Sequence, residues 1–395
     1  MTRTLGLIYT ATAARAFGDG FAAIILPAYL TSIGYDAATV GLIATVSLLG
    51  TALLTLLIGT VAQRFDLRSL LILAACLAVA SGLLFPSAQH FAFLALVAFV
   101  GTISPASGSV GVQTPIEHAF LAREVSDAER TATFARYSLI GALAAAAGAL
   151  AASVPDFLVT SGIARMTAFR AMFYAYAALG VACMLLYLLL PRQPPQAERP
   201  VTPLGPSRGI VYKLAALFCI DAFAGGFIVN SLLALWLFER FGLSLSGAAL
   251  FFFWASTLSA FSYPVAARLA RRFGLVNTMV FTHIPSSIFL IVAAFADNLY
   301  VVLALLLLRS ALSQMDVPTR TSYVMAVVTP PERSAAASVT AVPRTLASAI
   351  SPAIAGTLLA TTVSGLPLIV CGALKIAYDL ALLWSFRHVA PPEER

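Results

Sequence analysis

The stretch AATVGLIATVSLLGTALLTLLIGTVA, residues 37–62, contains no charged side chain. A helix needs roughly 20 mostly apolar residues to cross the hydrocarbon core of a bilayer, so this stretch is long enough to span one. Strands of a membrane barrel are much shorter and alternate between apolar and polar residues, which this stretch does not. Since a helix satisfies its backbone polar groups within one segment, the stretch predicts a transmembrane α-helix.

Eleven further stretches are long and mostly apolar, although several contain one or more charged residues. They lie at 6–31, 67–88, 91–116, 132–153, 168–190, 210–238, 245–268, 275–296, 299–318, 334–362 and 366–387. The sequence therefore predicts an all-α, polytopic membrane protein with about 12 transmembrane helices.

The composition supports this class. Of the 395 residues, 60% are hydrophobic and 10% are charged, whereas soluble chains carry about 25% charged residues. The net charge of +7 does not indicate nucleic acid, because the basic residues do not cluster on one soluble face. The composition therefore predicts that the chain is embedded in a lipid bilayer.

The basic residues follow the loops. With the N-terminus in the cytoplasm, most Lys and Arg residues outside the helices fall on the cytoplasmic side, and only Arg165, Arg170 and Arg240 fall on the other. This asymmetry obeys the positive-inside rule. It predicts that both termini are cytoplasmic.

The chain divides near its middle. Residues 191–209, PRQPPQAERPVTPLGPSRG, are rich in Pro and charge and predict a cytoplasmic linker. It separates a six-helix bundle at 1–190 from a second at 210–395. The halves also match in sequence, since the pattern of Pro115, Glu129 and Arg130 returns at one constant spacing as Pro318, Glu332 and Arg333. Two six-helix repeats around a central cavity are suited to alternating access.

Here the chain resembles the major facilitator superfamily. That family's signature between the second and third helices is Gly-x-x-x-Asp-Arg-x-Gly-Arg-Lys. Residues 59–68 read GTVAQRFDLR, with Gly59, Arg64 and Arg68 in place, Gln63 at the acid position and Asp66 at the second Gly. The second copy, ARLARRFG at 267–274, contains Arg272. The resemblance implies secondary transport by rocking of two halves, with a displaced carboxylate such as Asp66 in the loop latch.

Charged residues within membrane helices are costly and are functional candidates. Asp19 and Asp221 are candidate proton-binding groups, and Arg15 lies one helical turn before Asp19. The pair Arg15–Asp19 is either a self-neutralised ion pair or part of a cavity. Lys375 and Asp379 also lie four residues apart, and we expect them to form a structural pair.

Further candidates for the substrate cavity lie in the second half. Arg344 falls near the middle of its span, where its fork of donors suits a carboxylate, phosphate or sulfonate. Arg309 and Asp316 are two turns apart on one predicted helix, and Asn230 and His283 lie in other spans. A lone His is otherwise a core residue or a pH sensor.

Charged and glycine residues at the predicted cytoplasmic helix ends are candidates for a gate that latches the halves. They are Gly59, Arg64, Asp66, Arg68, Glu117, Glu129, Arg130, Arg272, Arg320, Glu332 and Arg333. We expect Glu117, Glu129 and Arg130 to form one cluster, and Arg320, Glu332 and Arg333 the other. Simple solvation of loop charges is the alternative for each residue.

Several chemistries lack support in the sequence. There is no Gly-x-x-x-x-Gly-Lys-Ser/Thr pattern for ATP, no Cys or His cluster with metal spacing and no Gly-x-Ser-x-Gly elbow. The four Cys residues fall in apolar spans. We predict no enzyme activity, no metal and no cofactor.

The predicted function is secondary active transport of a small-molecule substrate, coupled to a proton or another ion. Efflux of a small organic solute is the first expectation, by analogy with the family. The alternatives are proton-coupled uptake of a small organic anion, and a membrane receptor or assembly partner that transports nothing. The Ala- and Arg-rich composition favours a bacterial inner membrane, and a monomer is sufficient.

Overall fold

Apolar helices joined by short turns make up most of the chain. The computed structural model describes residues 3–61, 64–88, 90–101, 103–106, 111–125, 127–193, 204–329, 332–361 and 364–387. Within these ranges, the side chains at 60, 61, 127, 128, 130–132 and 334 are not described.

The described ranges contain sixteen α-helices, one 3₁₀ turn at Phe85–Ser87, and no strand. The helices are α1 (Arg3–Ser32), α2 (Ala37–Val61), α3 (Leu67–Leu84), α4 (Phe91–Val100), α5 (Gln113–Glu124), α6 (Asp127–Ala151), α7 (Val154–Thr160), α8 (Arg165–Leu188), α9 (Arg208–Gly226), α10 (Asn230–Phe241), α11 (Leu245–Phe273), α12 (Leu275–Phe295), α13 (Leu299–Ser313), α14 (Asp316–Val327), α15 (Arg333–Leu359) and α16 (Leu366–Phe386). The predicted all-α class is confirmed.

Nine helical segments in the described part of the chain are long and apolar enough to cross a membrane. They cover 37–59, 67–87, 133–160, 165–188, 208–241, 245–273, 275–295, 299–327 and 366–386. The other three predicted spans fall on α1, α15 and the α4–α5 region. Helix α1 has 30 residues and contains Arg15 and Asp19, and α15 has 27 residues and contains Arg344 beside Pro343. The chain is a polytopic membrane protein.

Three of the predicted spans are broken in the structure. Helix α4 ends at Val100 and α5 begins at Gln113, α9 and α10 are separated at 227–229, and α13 and α14 are separated at 314–315. Apolarity alone does not reveal such breaks, because lipid-length windows average over them. Interrupted helices are tolerated at membrane depth where the freed backbone is buried in protein.

The chain forms two compact units. Unit 1 comprises Met1–Ala197 and Val229–Ser256, and unit 2 comprises Glu198–Ile228 and Thr257–Arg395. Residues 229–256, which belong to the second predicted half, therefore pack within unit 1. There, the backbone N–H of Ser231 donates to the Pro105 carbonyl at 3.0 Å, and the Asp156 carboxylate accepts from Ser246 N–H and Oγ at 2.9 Å.

Matching helix pairs pack in each unit. Helix α1 packs on α6 in unit 1, as α9 packs on α15 in unit 2, and α3 packs on α8 as α12 packs on α16. Small residues allow the backbones to approach closely. A Cβ on Gly148 would lie 2.0 Å from the Phe17 carbonyl oxygen, and one on Gly226 would lie 2.0 Å from Ser351 Oγ. These close crossings bring charged residues of different helices within reach of one another.

Candidate functional site

Six polar side chains meet inside unit 1, and we call them the tyrosine cluster. Helices α1, α5, α6 and α8 supply them, and they are Arg15, Asp19, Glu117, Tyr137, Tyr176 and Tyr187. The cluster borders an apolar core that includes Ile8, Phe120 and Leu121. Water is therefore excluded from it on that side.

Glu117 is the centre of this cluster and is 0% exposed. Its Oε2 accepts from Arg15 Nη2 at 3.0 Å and from the Tyr137 hydroxyl at 2.5 Å, and its Oε1 accepts from the Tyr187 hydroxyl at 2.7 Å. One guanidinium and two hydroxyl groups thus supply the hydrogen bonds that this buried carboxylate needs.

Asp19 is held less tightly in the same cluster. Its Oδ2 lies 3.6 Å from Arg15 Nη1, and its Oδ1 accepts from the Tyr176 hydroxyl at 3.2 Å. Two carboxylates thus share one arginine. One negative charge is in excess in this buried site, and a proton on Asp19 would neutralise it.

A small cavity opens beside Arg15. Its volume is about 20 Å³, enough for one water molecule. Its lining residues include Arg15, Gly18, Gln113, Tyr176, Gly180 and Cys183. Arg15 Nε and Thr114 Oγ1 are buried without a hydrogen-bond partner in the described part of the chain. Polar atoms are therefore available there to water or a ligand.

Six further side chains meet inside unit 2, and we call them the lysine cluster. Helices α9, α12, α14 and α16 supply them, and they are Asp221, His283, Asp316, Arg320, Lys375 and Asp379. Both units thus hold a buried ionic cluster built from four helices.

Asp221 is the carboxylate on which the cations of this cluster converge. Its Oδ1 accepts from Lys375 Nζ at 2.6 Å, and its Oδ2 accepts from Arg320 Nη1 at 3.0 Å. The same Nη1 donates to Asp316 at 2.9 Å. Asp221 therefore has two cations in direct contact, whereas Asp19 has one at a longer distance.

His283 joins α12 to α16. Its Nδ1 lies 3.0 and 3.1 Å from the two Asp379 oxygens, and its Nε2 lies 3.3 Å from Lys375 Nζ. The expected Lys375–Asp379 pair is not what the structure shows, because each residue binds a partner on another helix. The sequence contained a signal for the Asp221–Lys375 contact. These two residues carry opposite charges and lie in the middle of two predicted spans of the same half.

Arg344 on α15 and Arg309 on α13 are two further arginines within helices of unit 2, outside the lysine cluster. Neither guanidinium makes a hydrogen bond or ion pair with the described residues, and Arg344 Nε is buried without a partner. The predicted Arg309–Asp316 grouping does not form, since the helix breaks between them and Asp316 binds Arg320. Asn230 starts α10 in unit 1, half-buried.

The expected gate clusters differ in the structure. Glu117 lies with Arg15 and not with Glu129, and Arg320 lies with Asp221 and not with Glu332. Both residues precede the helix ends and face the first helix of their half. The gate clusters were predicted from the short distance in sequence between Glu117 or Arg320 and the charged loops. The orientation of a helix, and not this distance, decides which partner such a side chain contacts.

Glu332 instead anchors the chain after the linker. Its carboxylate accepts from Ser207 Oγ and Thr329 Oγ1, each at 2.6 Å, and from the Gly205 backbone N–H. These hydrogen bonds lower the pKa of Glu332 to about 2.

The other loop residues lie apart. Asp66 caps α3 and accepts from the Gln193 N–H at 2.8 Å, and Arg68 donates to the Leu188 carbonyl at 2.6 Å. Arg333 donates to the Met325 carbonyl. Four more candidates are exposed, and they are Gly59, Arg64, Glu129 and Arg272. The side chain of Arg130 lies outside the described residues.

The comparisons with known proteins agree with this architecture. The chain is 25% identical over 427 residues to an uncharacterized membrane protein of Saccharomyces cerevisiae, YJR124C, covering 98% of this chain and 95% of that protein. A bacterial homolog of the human lysosomal transporter Spinster, inward-facing and occupied, superposes with a TM-score of 0.76 at 16% identity, over 97% of this chain and 96% of that one. A D-xylose–proton symporter superposes with a TM-score of 0.76 at 16% identity, over 99% of both chains.

Family membership follows from the sequence itself. A sequence model of the Major Facilitator Superfamily matches residues 8–219 and again 214–395, so that two successive matches together cover almost the whole chain. The structural likenesses agree on the fold. The chain belongs to the Major Facilitator Superfamily.

Proposed function

We propose that this protein is a proton-coupled secondary transporter that moves a small organic solute by alternating access. The observation that carries the proposal is Asp19, a buried carboxylate that shares Arg15 with Glu117, and this arginine lines a small cavity. A proton that enters and leaves such a site changes the charge at the centre of unit 1. The family and its fold support the transport part of the proposal, and the tyrosine cluster supports the proton coupling.

Asp19 suits this role better than Asp221. Protonation of Asp221 would leave Lys375 without its carboxylate, although Arg320 would keep Asp316. Leaving a buried cation without its anion is expensive. Protonation of Asp19 leaves Arg15 with its closer partner, Glu117.

The test uses proteoliposomes with a pH-sensitive dye inside and a panel of organic solutes outside. We expect at least one solute to move protons through the wild type and not through Asp19→Asn. Asp156→Asn, outside both clusters, is the matched control and should behave as wild type. Undiminished coupling in Asp19→Asn would refute Asp19 as the proton site, and transport of no solute by folded protein would favour the receptor alternative.

A second candidate, transport of a small organic anion, is supported by Arg344 and Arg309. A guanidinium within a helix bundle requires an anionic partner, and the described residues supply none within ion-pair distance. A thermal-shift panel of organic anions and lipophilic cations tests this candidate. Anions should raise the melting temperature of the wild type, and the effect should vanish in Arg344→Ala. Stabilisation by lipophilic cations, retained in that variant, would instead favour drug-like solutes.

Direction and location stay predictions. Efflux is our first expectation for an uncharged or cationic solute, and uptake for an organic anion. The basic loops predict cytoplasmic termini. The composition predicts a bacterial inner membrane, although the similar curated protein is from yeast.

A further inference from the structure

His283 is buried at 2% exposure, and both of its ring nitrogens have charged neighbours. Nδ1 faces both oxygens of Asp379, and an ionised carboxylate only accepts hydrogen bonds. Nδ1 therefore carries a hydrogen. Nε2 faces Lys375 Nζ at 3.3 Å, and an ammonium group only donates. Nε2 thus presents its lone pair, and the geometry is that of a neutral imidazole protonated on Nδ1.

The charges around this imidazole do not balance. Three carboxylates in the lysine cluster, Asp221, Asp316 and Asp379, contact two permanent cations, Arg320 and Lys375. Among the groups in contact, one negative charge is left over while His283 is neutral, and Arg344 acts on Asp221 and Asp316 only from beyond ion-pair distance. Uncompensated charge is costly in a buried site. A proton on Nε2 would remove the excess.

Every packed helix contributes to the environment of His283. The edge of its ring meets the Tyr378 ring at 6.2 Å between centroids, and Asp221 Oδ1 lies 3.9 Å from Nε2. Arg309 on α13 and Arg344 on α15 make no ion pair with the described carboxylates. The charged and titratable groups on these helices include Asp221 (α9), Arg309 (α13), Asp316 and Arg320 (α14), Arg344 (α15), and Lys375, Tyr378 and Asp379 (α16).

We infer that His283 is a second proton-binding site of the protein. The proton binds Nε2, and the resulting imidazolium is held by Asp379 through Nδ1–H. This site is separate from Asp19, and its use in transport depends on the proton coupling proposed above. Binding of the proton itself does not.

The proton also changes how the helices are held. Once Nε2 carries a hydrogen, it no longer accepts from Lys375, and two cations face each other across 3.3 Å. Asp221 Oδ1, which now accepts from Lys375, is the nearest acceptor for the new N–H. His283 and Lys375 then compete for Asp221. Since these residues lie on α12, α16 and α9, protonation shifts the attachment of α9 from α16 toward α12.

Nuclear magnetic resonance of protein labelled with ¹⁵N in its imidazole rings tests the inference on the full chain. The chain has only four His residues, and His283→Gln identifies the signal that belongs to His283. We expect this signal to show the Nδ1–H tautomer at the alkaline end of a pH titration and the imidazolium at its acidic end. An Nε2–H tautomer, or one unchanging form across the pH range of the titration, would overturn the inference.

Two variants that keep the side-chain shape sharpen the test. In Asp379→Asn the amide oxygen still accepts from Nδ1–H, but the stabilising charge is gone, so the imidazolium signal should be lost across the range. In Lys375→Gln the repelling cation is gone, so the imidazolium should be populated at a higher pH than in the wild type. His118→Gln removes a different buried imidazole and should leave the titration of His283 intact. If a variant does not fold, the titration of the wild type still decides.

This experiment separates the inference from the proposed function. Asp19→Asn should leave the titration of His283 unchanged, because the two residues belong to different clusters. Titration of His283 together with full coupling in Asp19→Asn would refute the proposed role of Asp19 alone. Loss of coupling in Asp19→Asn with no titration of His283 would refute the second site alone.

Discussion

The tyrosine cluster and the lysine cluster occupy matching places in their units and carry opposite charges there. In unit 1, α1 supplies the cation Arg15 and α5 supplies the anion Glu117, whereas in unit 2, α9 supplies the anion Asp221 and α14 supplies the cation Arg320. Glu117 follows Pro115 by the same spacing as Arg320 follows Pro318. The two repeats have therefore kept the position of an ion pair while exchanging its signs, and a neutral pair results in both.

The neighbours of these pairs differ more than the pairs themselves. The Glu117 carboxylate accepts its remaining hydrogen bonds from tyrosine hydroxyls, which carry no charge. The Asp221 carboxylate accepts its second hydrogen bond from Lys375, which carries a full positive charge. One carboxylate is nevertheless in excess in each cluster. The difference lies in where a compensating proton fits, on Asp19 in unit 1 and on His283 in unit 2.

The largest expected effect is loss of the closer of the two anions of Arg15. Glu117→Gln should lower the free energy of unfolding by about 3 kcal/mol, because it removes the ion pair at 3.0 Å and the charge that two tyrosine hydroxyls bind, and Asp19 at 3.6 Å replaces it only in part. Asp316→Asn should cost less, about 1.5 kcal/mol, because Arg320 keeps Asp221. Unfolding of both variants in one detergent measures the difference. Equal losses would show that the two clusters are not held in different ways.

A smaller effect is expected from the hydroxyl groups that distinguish the clusters. Tyr187→Phe removes a donor to the buried Glu117 carboxylate and should cost about 1.5–3 kcal/mol. Tyr378→Phe is the matched control, because the buried Tyr378 hydroxyl has no hydrogen-bond partner among the described residues. It should be neutral or slightly stabilising. A comparable loss in both variants would contradict the contrast between the clusters.

The smallest effect is expected at the ends of the linker. Glu332→Gln should lower the melting temperature slightly at about pH 7, and Asp66→Asn, at the other end, should do the same. Since the pKa of Glu332 is lowered to about 2 from an ordinary value near 4.3, its contribution is present above about pH 4 and is lost as the pH falls through about 2. Melting curves of the wild type and Glu332→Gln should therefore converge in acid. A gap that is constant with pH would exclude the charged form of Glu332 as the cause.

Much of the fold could be predicted from the sequence. Uncharged stretches such as 37–62 must be helices in lipid, since no water is present to bind their backbone groups. The breaks inside 210–238 and 299–318 were not predicted, because the Gly residues of the first and the single Gln of the second are also tolerated within continuous membrane helices. The inclusion of residues 229–256 in unit 1 also depends on packing.

The candidate site divides in the same way. The sequence by itself determined which residues are costly to bury, and Arg15, Asp19, Asp221 and His283 stand out because each charged or titratable group lies in an apolar span. Only the tertiary structure decided their partners. Sequence spacing reports neighbours on one helix, as for Arg15 and Asp19, whereas Arg15–Glu117, Asp221–Lys375 and His283–Asp379 join helices that are far apart in the chain. Those contacts depend on how the close-packed helices are rotated about their axes, which the order of residues along one helix does not specify.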